Sequence, residues 1–212
     1  MTPEALVTTL QNIPQPESLL HEKGFRHVAG TDEAGRGPLA GPVVAAAVIL
    51  PPEWHHPGIK DSKKLTARAR TELYAVITES AVSWNWCAIE PGEIDRINIL
   101  QASLLAMRTA VLSLSPRPDY LLVDGPHGVK GPVAHAALKR GDQKSQVIAA
   151  ASIVAKVVRD AIMETYDRLF PDYQISKNKG YGTASHMKAL EQQGCCSLHR
   201  RSFKRVVSER QN

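Results

Sequence analysis

The sequence has few cysteines, no long hydrophobic run and no phosphate-binding lysine loop, and each absence excludes a class of protein. The three cysteines, Cys87, Cys195 and Cys196, are odd in number and form no Cys-x-x-Cys motif. A neighbouring pair does not make an ordinary structural bridge, so we expect reduced thiols and a cytoplasmic protein. The longest apolar stretch, residues 43–50, is far shorter than the roughly 20 residues that cross a bilayer. The chain contains no Gly-x-x-x-x-Gly-Lys-Ser/Thr string, which argues against a nucleotide-binding enzyme with a phosphate loop.

What is present fits one folded domain with a basic surface. The chain has 212 residues, of which 43% are hydrophobic, and this is enough apolar material for a core. Its formal net charge of +5 favours a polyanionic partner such as nucleic acid. Residues 1–24 contain Pro14 and Pro16 and no basic start before an apolar stretch. We therefore expect a loosely ordered leader with one short helix over residues 4–10, and neither a secretory signal nor a membrane protein.

Hydrophobic periodicity predicts strands and helices in an α/β arrangement. Strands are expected over residues 27–33, 42–50, 82–88 and 120–124, and helices over residues 66–80, 98–113, 146–169 and 183–194. The second strand is apolar at nearly every position, which is typical of a sheet with helices on both faces. A tight glycine turn predicts that the first two strands are antiparallel. In the third strand Trp84 and Trp86 alternate with polar residues, and we expect them in the core rather than on a base-stacking surface.

Four acidic residues stand at the ends of predicted strands or on the long helix. Asp32 and Glu33 follow a short apolar run, and Asp124 ends a buried strand ahead of a Gly-Pro turn. A carboxylate at the C-terminal end of such a strand faces the crevice where open α/β sheets bind ligands. Asp160 lies on the long helix. Because hard oxygen ligands suit Mg²⁺ or Mn²⁺, four acids gathered at one end of the sheet predict a two-metal site for phosphodiester hydrolysis.

The same acids have alternative interpretations that involve no metal. Asp32 and Glu33 could be an exposed pair that ends a strand before a glycine hairpin, and Asp124 could cap a turn. Neighbouring residues of a strand also point to opposite faces of the sheet. Asp32 and Glu33 can therefore direct both side chains to one metal only if the strand is distorted.

A polar seam runs along the otherwise apolar long helix. Ser145, Ser152, Lys156 and Asp160 repeat at intervals of seven, four and four residues, which places them on one side of the helix. A narrow polar seam on a buried helix needs something polar to face, and the acids at the sheet end are the candidates. The alternative is an ion pair between Lys156 and Asp160 on a half-exposed helix.

Candidate nucleic-acid contacts lie in two glycine-containing stretches. Gly35, Arg36 and Gly37 bring bare backbone N–H groups and one guanidinium beside the acids, which suits a phosphodiester or a sugar hydroxyl. The loop over residues 171–181 is basic and places Tyr181 beside a glycine, as in surfaces that contact a sugar or a base. The alternatives are a hairpin without a ligand and a tyrosine packed inside its own loop.

The sequence resembles bacterial ribonuclease HII, the type 2 ribonuclease H, from about residue 25 to residue 207. The resemblance rests on strings that occur in the same order: TDEAGRGPLAGP from Thr31, DSKKL from Asp61, NILQA from Asn98, LVDG from Leu122, GDQKS from Gly141, AAASIVAKVVRD from Ala149, NKGYGT from Asn178 and HRRSF from His199. The resemblance implies a ribonuclease H-like mixed sheet flanked by helices, with a C-terminal helical extension. One catalytic domain over residues 25–207 and a tail over residues 208–212 are then expected.

The resemblance also implies an activity. The protein is expected to be a monomeric endonuclease that uses Mg²⁺ or Mn²⁺, with two ions in the substrate complex. Its implied substrates are RNA/DNA hybrids and duplex DNA that contains single ribonucleotides. Cleavage on the 5′ side of the ribonucleotide is expected to leave a 3′-hydroxyl and a 5′-phosphate, and a non-catalytic nucleic-acid-binding module is the alternative.

The resemblance assigns a role to each candidate residue. The implied catalytic and metal-binding acids are Asp32, Glu33, Asp124 and Asp160. Gly35, Arg36 and Gly37 are implied to sense the 2′-hydroxyl, and Tyr181 to stack on the deoxyribose that follows the ribonucleotide. Lys63, Lys144 and Ser145 are expected to contact phosphates, and a solvated loop is the alternative for Lys63.

Overall fold

The structure, a computed structural model, describes residues 2–59, 65–131 and 133–206, and a five-stranded mixed sheet forms its centre. The strands are β1 (Val28–Ala34), β2 (Val43–Ile49), β3 (Ser83–Ile89), β4 (Tyr120–Asp124) and β5 (Ala134–Leu138). Their spatial order is β3-β2-β1-β4-β5. β1 pairs antiparallel with β2 and parallel with β4, so the C-terminal ends of β1 and β4 lie at the same edge of the sheet.

Helices flank this sheet, as the sequence predicted. Those in the described residues are α1 (Pro3–Asn12), α2 (Pro16–Glu22), α3 (Ala67–Ser80), α4 (Pro91–Ile97), α5 (Ile99–Leu112), α6 (Gln146–Leu169), α7 (Ile175–Asn178) and α8 (Ala184–Gln193). The hydroxyls of Thr66, Ser145 and Thr183 cap α3, α6 and α8 by accepting backbone N–H groups of the first turn. None of these helices combines the length and the apolar character that a bilayer crossing requires.

α6 covers one face of the sheet and lies directly against β1. It packs with α3 on the face that carries Val28, Ala46 and Leu122. Gly30 leaves no room for a side chain, because a Cβ atom there would lie 2.2 Å from the backbone of Val147. This close approach brings the N-terminal half of α6 to the end of β1 where the acids stand.

α5 covers the opposite face, where it packs on Ala29, Ala47 and Leu121. The strand β3 lies at the edge of the sheet and is only partly covered. Trp84 packs edge-on against Tyr74, with 5.9 Å between ring centroids, whereas Trp86 is 41% exposed. The predicted core position is therefore wrong for Trp86, because an edge strand receives less cover than the alternating pattern suggests.

The N-terminal segment differs from the predicted loose leader with one helix. It forms both α1 and α2, and Leu10 and Leu20 are fully buried in the core on the α6 side of the sheet. Pro16 does not interrupt a helix but begins one, at the position where a missing N–H costs nothing. The two buried leucines anchor this segment to the core between α6 and the sheet.

The C-terminal extension has its own small core, which also holds the glycine turn after β1. Leu39 and Ala40 from this turn pack with Met163 of α6, Tyr173 and Leu190. The loop predicted over residues 171–181 contains a 3-10 turn (Pro171–Tyr173) and α7. The extension and the turn therefore form one structural unit at the end of the sheet.

Candidate active site

A pocket of about 420 Å³ opens where β1 and β4 end. Its walls come from β1 and the following glycine turn, from β4, from α3, from α6 and from the loop before α8. The lining residues are Asp32, Glu33, Ala34, Gly35, Arg36, Gly37, Arg70, Asp124, Ser152, Lys156, Arg159 and Tyr181. Three of the four predicted acids and the whole predicted glycine turn thus share one cavity.

Asp32 is the most buried of the four acids and is only 6% exposed. Its Oδ1 accepts the backbone N–H of Glu33 at 2.7 Å, and Ser152 of α6 donates a second hydrogen bond to its carboxyl group. Burial, with repulsion from Asp124 and Glu33, raises the pKa of Asp32 well above its ordinary value. The polar seam predicted on α6 therefore faces the acids at Ser152.

Glu33 projects toward the other face of the sheet, as the strand alternation requires. β1 pairs with β2 without interruption through Asp32, Glu33 and Ala34, so no distortion turns the two acids to the same side. Arg36 Nη1 donates to Glu33 Oε1 at 3.1 Å. Burial raises the pKa of Glu33 although the Arg36 guanidinium opposes this effect. Glu33 still lines the pocket, because it stands at the end of the strand, where both faces meet the opening.

Asp124 ends β4 next to these two acids. Its Oδ1 accepts the backbone N–H groups of Gly141 and Asp142 at 2.7 and 3.4 Å. The turn-capping alternative and the shared pocket are therefore both realised at this residue. The carboxyl group is oriented by the 3-10 turn (Gly141–Gln143) that leads into α6.

Asp160 occupies a different position. Its Oδ1 accepts a hydrogen bond from Lys156 Nζ at 2.7 Å, which is the ion pair that the sequence left as an alternative. Lys156 lines the pocket, whereas Asp160 is not among the lining residues. Asp160 thus lies one helical turn beyond Lys156 on the same side of α6.

The donor set fits a divalent cation, although side chains must adjust to bind one. Asp32, Glu33 and Asp124 offer hard carboxylate oxygens to one pocket, and their mutual repulsion is what a bound cation relieves. Within the described part of the chain, no three His, Cys, Asp or Glu side chains already stand together in a metal-holding group. Because Asp32 and Glu33 point to opposite faces of an undistorted strand, binding of one ion by both requires the carboxylates to rotate and the end of β1 to distort.

The glycine turn after β1 is held from below by two buried arginines. Arg159 of α6 donates to the carbonyl oxygens of Pro42 at 3.0 Å and Ala40 at 3.3 Å. Arg200 donates to the carbonyl oxygens of Gly35 at 2.6 Å, Arg36 at 3.0 Å and Gly41 at 2.8 Å. Their side chains fill the space beneath the turn, with residue exposures of 1% and 0%. Burial lowers the pKa of Arg200 to about 9, and the nearby Arg159 charge adds to this shift.

These two arginines are functional-site residues that sequence reasoning missed. Arg200 stands in the basic string HRRSF, yet its side chain is fully buried. Both arginines occur in the recognised strings, which was the available signal, but charged residues are seldom fully buried. Arg70 of α3 also lines the pocket without having been predicted.

Tyr181 stands at the rim of the pocket with 49% of its surface exposed. Its backbone is fixed on both sides. Its N–H donates to Asn178 O at 2.9 Å, and its carbonyl accepts from His186 Nδ1 at 2.9 Å and from the Thr183 N–H at 2.8 Å. Gly37 lies opposite, where an added Cβ atom would be 3.6 Å from the tyrosine ring. The aromatic ring and the glycine turn thus face each other across the pocket entrance.

The predicted phosphate contacts are not brought into this pocket. Lys144 Nζ donates to the carbonyl oxygen of Gln11 in α1 at 2.8 Å, and Ser145 is buried as the cap of α6. Both side chains therefore connect the N-terminal helices to α6. Lys63 lies outside the described residues.

Comparison with known proteins identifies close relatives. A family model described as ribonuclease HII matches residues 29–206. A ribonuclease HII from Syntrophus aciditrophicus is 55% identical over 184 residues, which cover 87% of each chain. A ribonuclease HII from Geobacter sulfurreducens is 51% identical over 205 residues, which cover 94% of each chain.

A solved structure has the same architecture. The ribonuclease HII in a complex with PCNA from Archaeoglobus fulgidus is 26% identical and superposes with a TM-score of 0.72. The match covers 84% of this chain and 95% of that one. The mixed sheet, the flanking helices and the C-terminal helices thus belong to a fold already known from experiment.

Proposed function

The chain belongs to the ribonuclease HII family of metal-dependent endoribonucleases, which hydrolyse RNA in RNA/DNA hybrids, and from that premise we propose that it also nicks duplex DNA at single ribonucleotides. The nick falls on the 5′ side of the ribonucleotide and leaves a 3′-hydroxyl and a 5′-phosphate. Its role is then to remove ribonucleotides misincorporated into DNA. We propose that the protein acts as a monomer in the cytoplasm.

The glycine turn beside the acids is the observation that carries this proposal. A single ribonucleotide in DNA is marked only by one 2′-hydroxyl, which backbone groups can probe at close range. Arg159 and Arg200 bind carbonyl oxygens of this turn and hold it rigidly next to Asp32 and Glu33. A rigid turn excludes alternative geometries, so recognition of one hydroxyl can be coupled to cleavage of the adjacent bond.

The acids are proposed to hold the metal. Asp32, Glu33 and Asp124 would hold Mg²⁺ or Mn²⁺, with Asp160 as the fourth acid, and the substrate complex would contain two ions. Bound ions of this kind supply the charge that activates a water molecule and stabilises the leaving oxygen. Because ligands must be ionised, the raised pKa of Asp32 predicts that metal affinity falls as the solution becomes more acidic.

Tyr181 is proposed to pack its exposed ring on the deoxyribose that follows the ribonucleotide. The ring is 49% exposed and stands beside Gly37, so its free face is open to a sugar at the pocket rim. Such packing orients the strand and requires no particular base. The exposed ring therefore supports recognition of a junction between ribose and deoxyribose at any sequence.

The direct test is incubation with a labelled DNA duplex that contains one ribonucleotide, with Mg²⁺ or Mn²⁺ and beside an all-DNA control. A unique nick on the 5′ side of the ribose is the expected result. Equal cutting of both duplexes would replace ribose sensing with general nuclease activity. Binding without any cleavage in either metal would favour the non-catalytic nucleic-acid-binding module.

A further inference from the structure

A chain of hydrogen bonds runs through the buried interior of the C-terminal extension and ends at the backbone of Tyr181. His186 Nδ1 lies 2.9 Å from the carbonyl oxygen of Tyr181, and His186 Nε2 lies 3.0 Å from His199 Nε2. The backbone N–H of Cys196 donates to His199 Nδ1 at 3.1 Å. Both histidine residues are shielded from solvent, with exposures of 0% and 2%.

The partner of each ring nitrogen determines whether that nitrogen donates or accepts a hydrogen bond. A carbonyl oxygen only accepts, so His186 Nδ1 must carry the hydrogen that Tyr181 receives. His199 Nδ1 receives the Cys196 N–H and must be free of hydrogen, so in the neutral ring the hydrogen sits on Nε2. His199 Nε2–H then donates to His186 Nε2. The two histidines are thus neutral and hold opposite tautomers.

The surroundings favour this neutral arrangement. Burial lowers the pKa of His186, and burial together with the nearby His186 lowers the pKa of His199 to about 4. The ring of Tyr173 packs on His199 with 4.8 Å between centroids. A proton added to either ring would place two N–H groups against each other or against the Cys196 N–H, so the chain of bonds would break.

We propose that His186 and His199 are positioning residues for substrate binding, which act by holding the backbone of Tyr181 at the pocket rim. This inference rests on the proposed contact between Tyr181 and the deoxyribose. With both sides of its backbone bonded, Tyr181 keeps freedom only in its exposed side chain. Substrate binding then has to order only the Tyr181 side chain and not its backbone. The lower entropy cost reduces KM and leaves kcat unchanged.

Two matched variants separate the contact with Tyr181 from general packing. In His186→Asn the amide nitrogen can occupy the place of Nδ1 and still donate to Tyr181. In His186→Gln the amide oxygen can occupy the place of Nε2 and still accept from His199, but nothing donates to Tyr181 from the place of Nδ1. Both variants lose one of the two ring contacts and remove the same aromatic ring. On the duplex with one ribonucleotide, we expect KM to rise about five- to tenfold for His186→Gln, as for one lost buried hydrogen bond. For His186→Asn we expect a change below about twofold. An equal rise in both variants would contradict the proposal.

A second measurement asks whether the effect passes through Tyr181. His186→Gln is introduced into Tyr181→Ala, and the additional change in KM should be below about twofold, because coupled residues are not additive. A further five- to tenfold rise in KM in the Tyr181→Ala background would show that His186 has only a structural role, and it would overturn the inference. An unchanged KM in Tyr181→Ala alone would instead refute the proposed contact with the deoxyribose.

The tautomers can be observed without any substrate. Long-range proton–nitrogen correlation spectra of the ¹⁵N-histidine-labelled full chain at neutral pH should show His186 protonated at Nδ1 and His199 at Nε2. The variants His186→Asn and His199→Asn assign the two sets of signals. Identical tautomers, or a charged ring at neutral pH, would overturn the chain of hydrogen bonds itself and leave the proposed activity untouched.

Discussion

Arg200 Nη2 donates a hydrogen bond of 2.6 Å to the carbonyl oxygen of Gly35, 165 positions earlier in the sequence. The same guanidinium also holds Arg36 and Gly41, so one side chain of the C-terminal extension fixes the shape of the turn beside Asp32 and Glu33. A planar group with five donors suits several carbonyl oxygens at once. The extension is therefore part of the site and not an appendage to it.

Replacing Arg200 with lysine should weaken both folding and activity. An ammonium group cannot reach three carbonyl oxygens in the geometry of a guanidinium, and buried acceptors are left unpaired. We expect a loss of about 2–3 kcal/mol in the free energy of unfolding, measured with urea. Nicking at a single ribonucleotide should fall at protein concentrations and temperatures where the variant is still folded.

The neighbouring Arg201 provides a matched control, because its side chain is exposed. Arg201→Lys keeps the charge and should change the free energy of unfolding by less than about 0.5 kcal/mol. If Arg200→Lys and Arg201→Lys are equally stable and equally active, the buried hydrogen bonds of Arg200 do not contribute to stability or activity.

The two glycines of the turn should respond differently to alanine. Gly35 has φ +95°, and an added Cβ atom would lie 2.0 Å from Arg159 Nε. Gly35→Ala is therefore strained and displaces the Arg159 side chain. Gly37 has ordinary space for a Cβ, which would lie 3.6 Å from the ring of Tyr181. We expect Gly35→Ala to lower the thermal midpoint by several degrees, since about 1 kcal/mol corresponds to 2–4 °C at this size.

Gly37→Ala should keep the wild-type midpoint and lose discrimination between ribonucleotide-containing and all-DNA duplexes. The methyl group would project into the entrance where the sugar is proposed to lie. Thermal scans and paired nicking assays of the two variants check both statements. A destabilised Gly37→Ala variant, or unaltered discrimination, would contradict this division of roles.

The sequence predicted the elements whose residues interact mainly with near neighbours. α6 was expected over residues 146–169 and is found there, because its apolar pattern and the Ser145 cap are local signals. β5 was missed, since its five residues follow no clear alternation and depend on pairing with β4. α4 was missed for its shortness, with seven residues that begin at Pro91.

The site was predictable to a similar extent. Asp32, Glu33 and Asp124 could be placed together because strand ends meet at one edge of a sheet, and the structure brings all three to one pocket. The buried positions of Arg159 and Arg200 could not be inferred, because they depend on carbonyl oxygens from a distant turn converging on one point. The hydrogen bond from Lys144 to the backbone of α1 could not be inferred for the same reason.

Asp124→Asn should abolish hydrolysis and preserve the fold. The amide oxygen can still accept the N–H groups of Gly141 and Asp142, so the turn into α6 remains capped. The lost charge weakens metal binding and raises the activation barrier by several kcal/mol. We therefore expect the cleavage rate to fall about a thousandfold or more. Duplex affinity, measured by fluorescence anisotropy, should persist or increase because one negative charge is removed. Asp172→Asn, at an exposed position, is the control and should cleave normally.

The buried charge of Asp32 should make the metal-free protein less stable as the pH rises. Because burial and the neighbouring acids raise the pKa of Asp32 above its ordinary value of 3.8, the folded state binds this proton more tightly than the unfolded chain does. The resulting stabilisation is complete below pH 3.8 and is lost as the pH rises through the folded-state pKa. The Asp32→Asn variant has no titrating proton at this position, so it should not lose this contribution to stability as the pH rises.

The thermal midpoint of Asp32→Asn minus that of the wild type should therefore grow as the pH rises above 3.8 in the presence of a chelator. Addition of Mg²⁺ at neutral pH should reduce the difference, because the ion binds the ionised wild-type carboxylate and stabilises only the folded state. The exposed Asp172→Asn variant should follow the wild type at every pH. A difference that stays constant with pH would mean that Asp32 titrates alike in the folded and unfolded states, and the charge repulsion assigned to this pocket would then be absent.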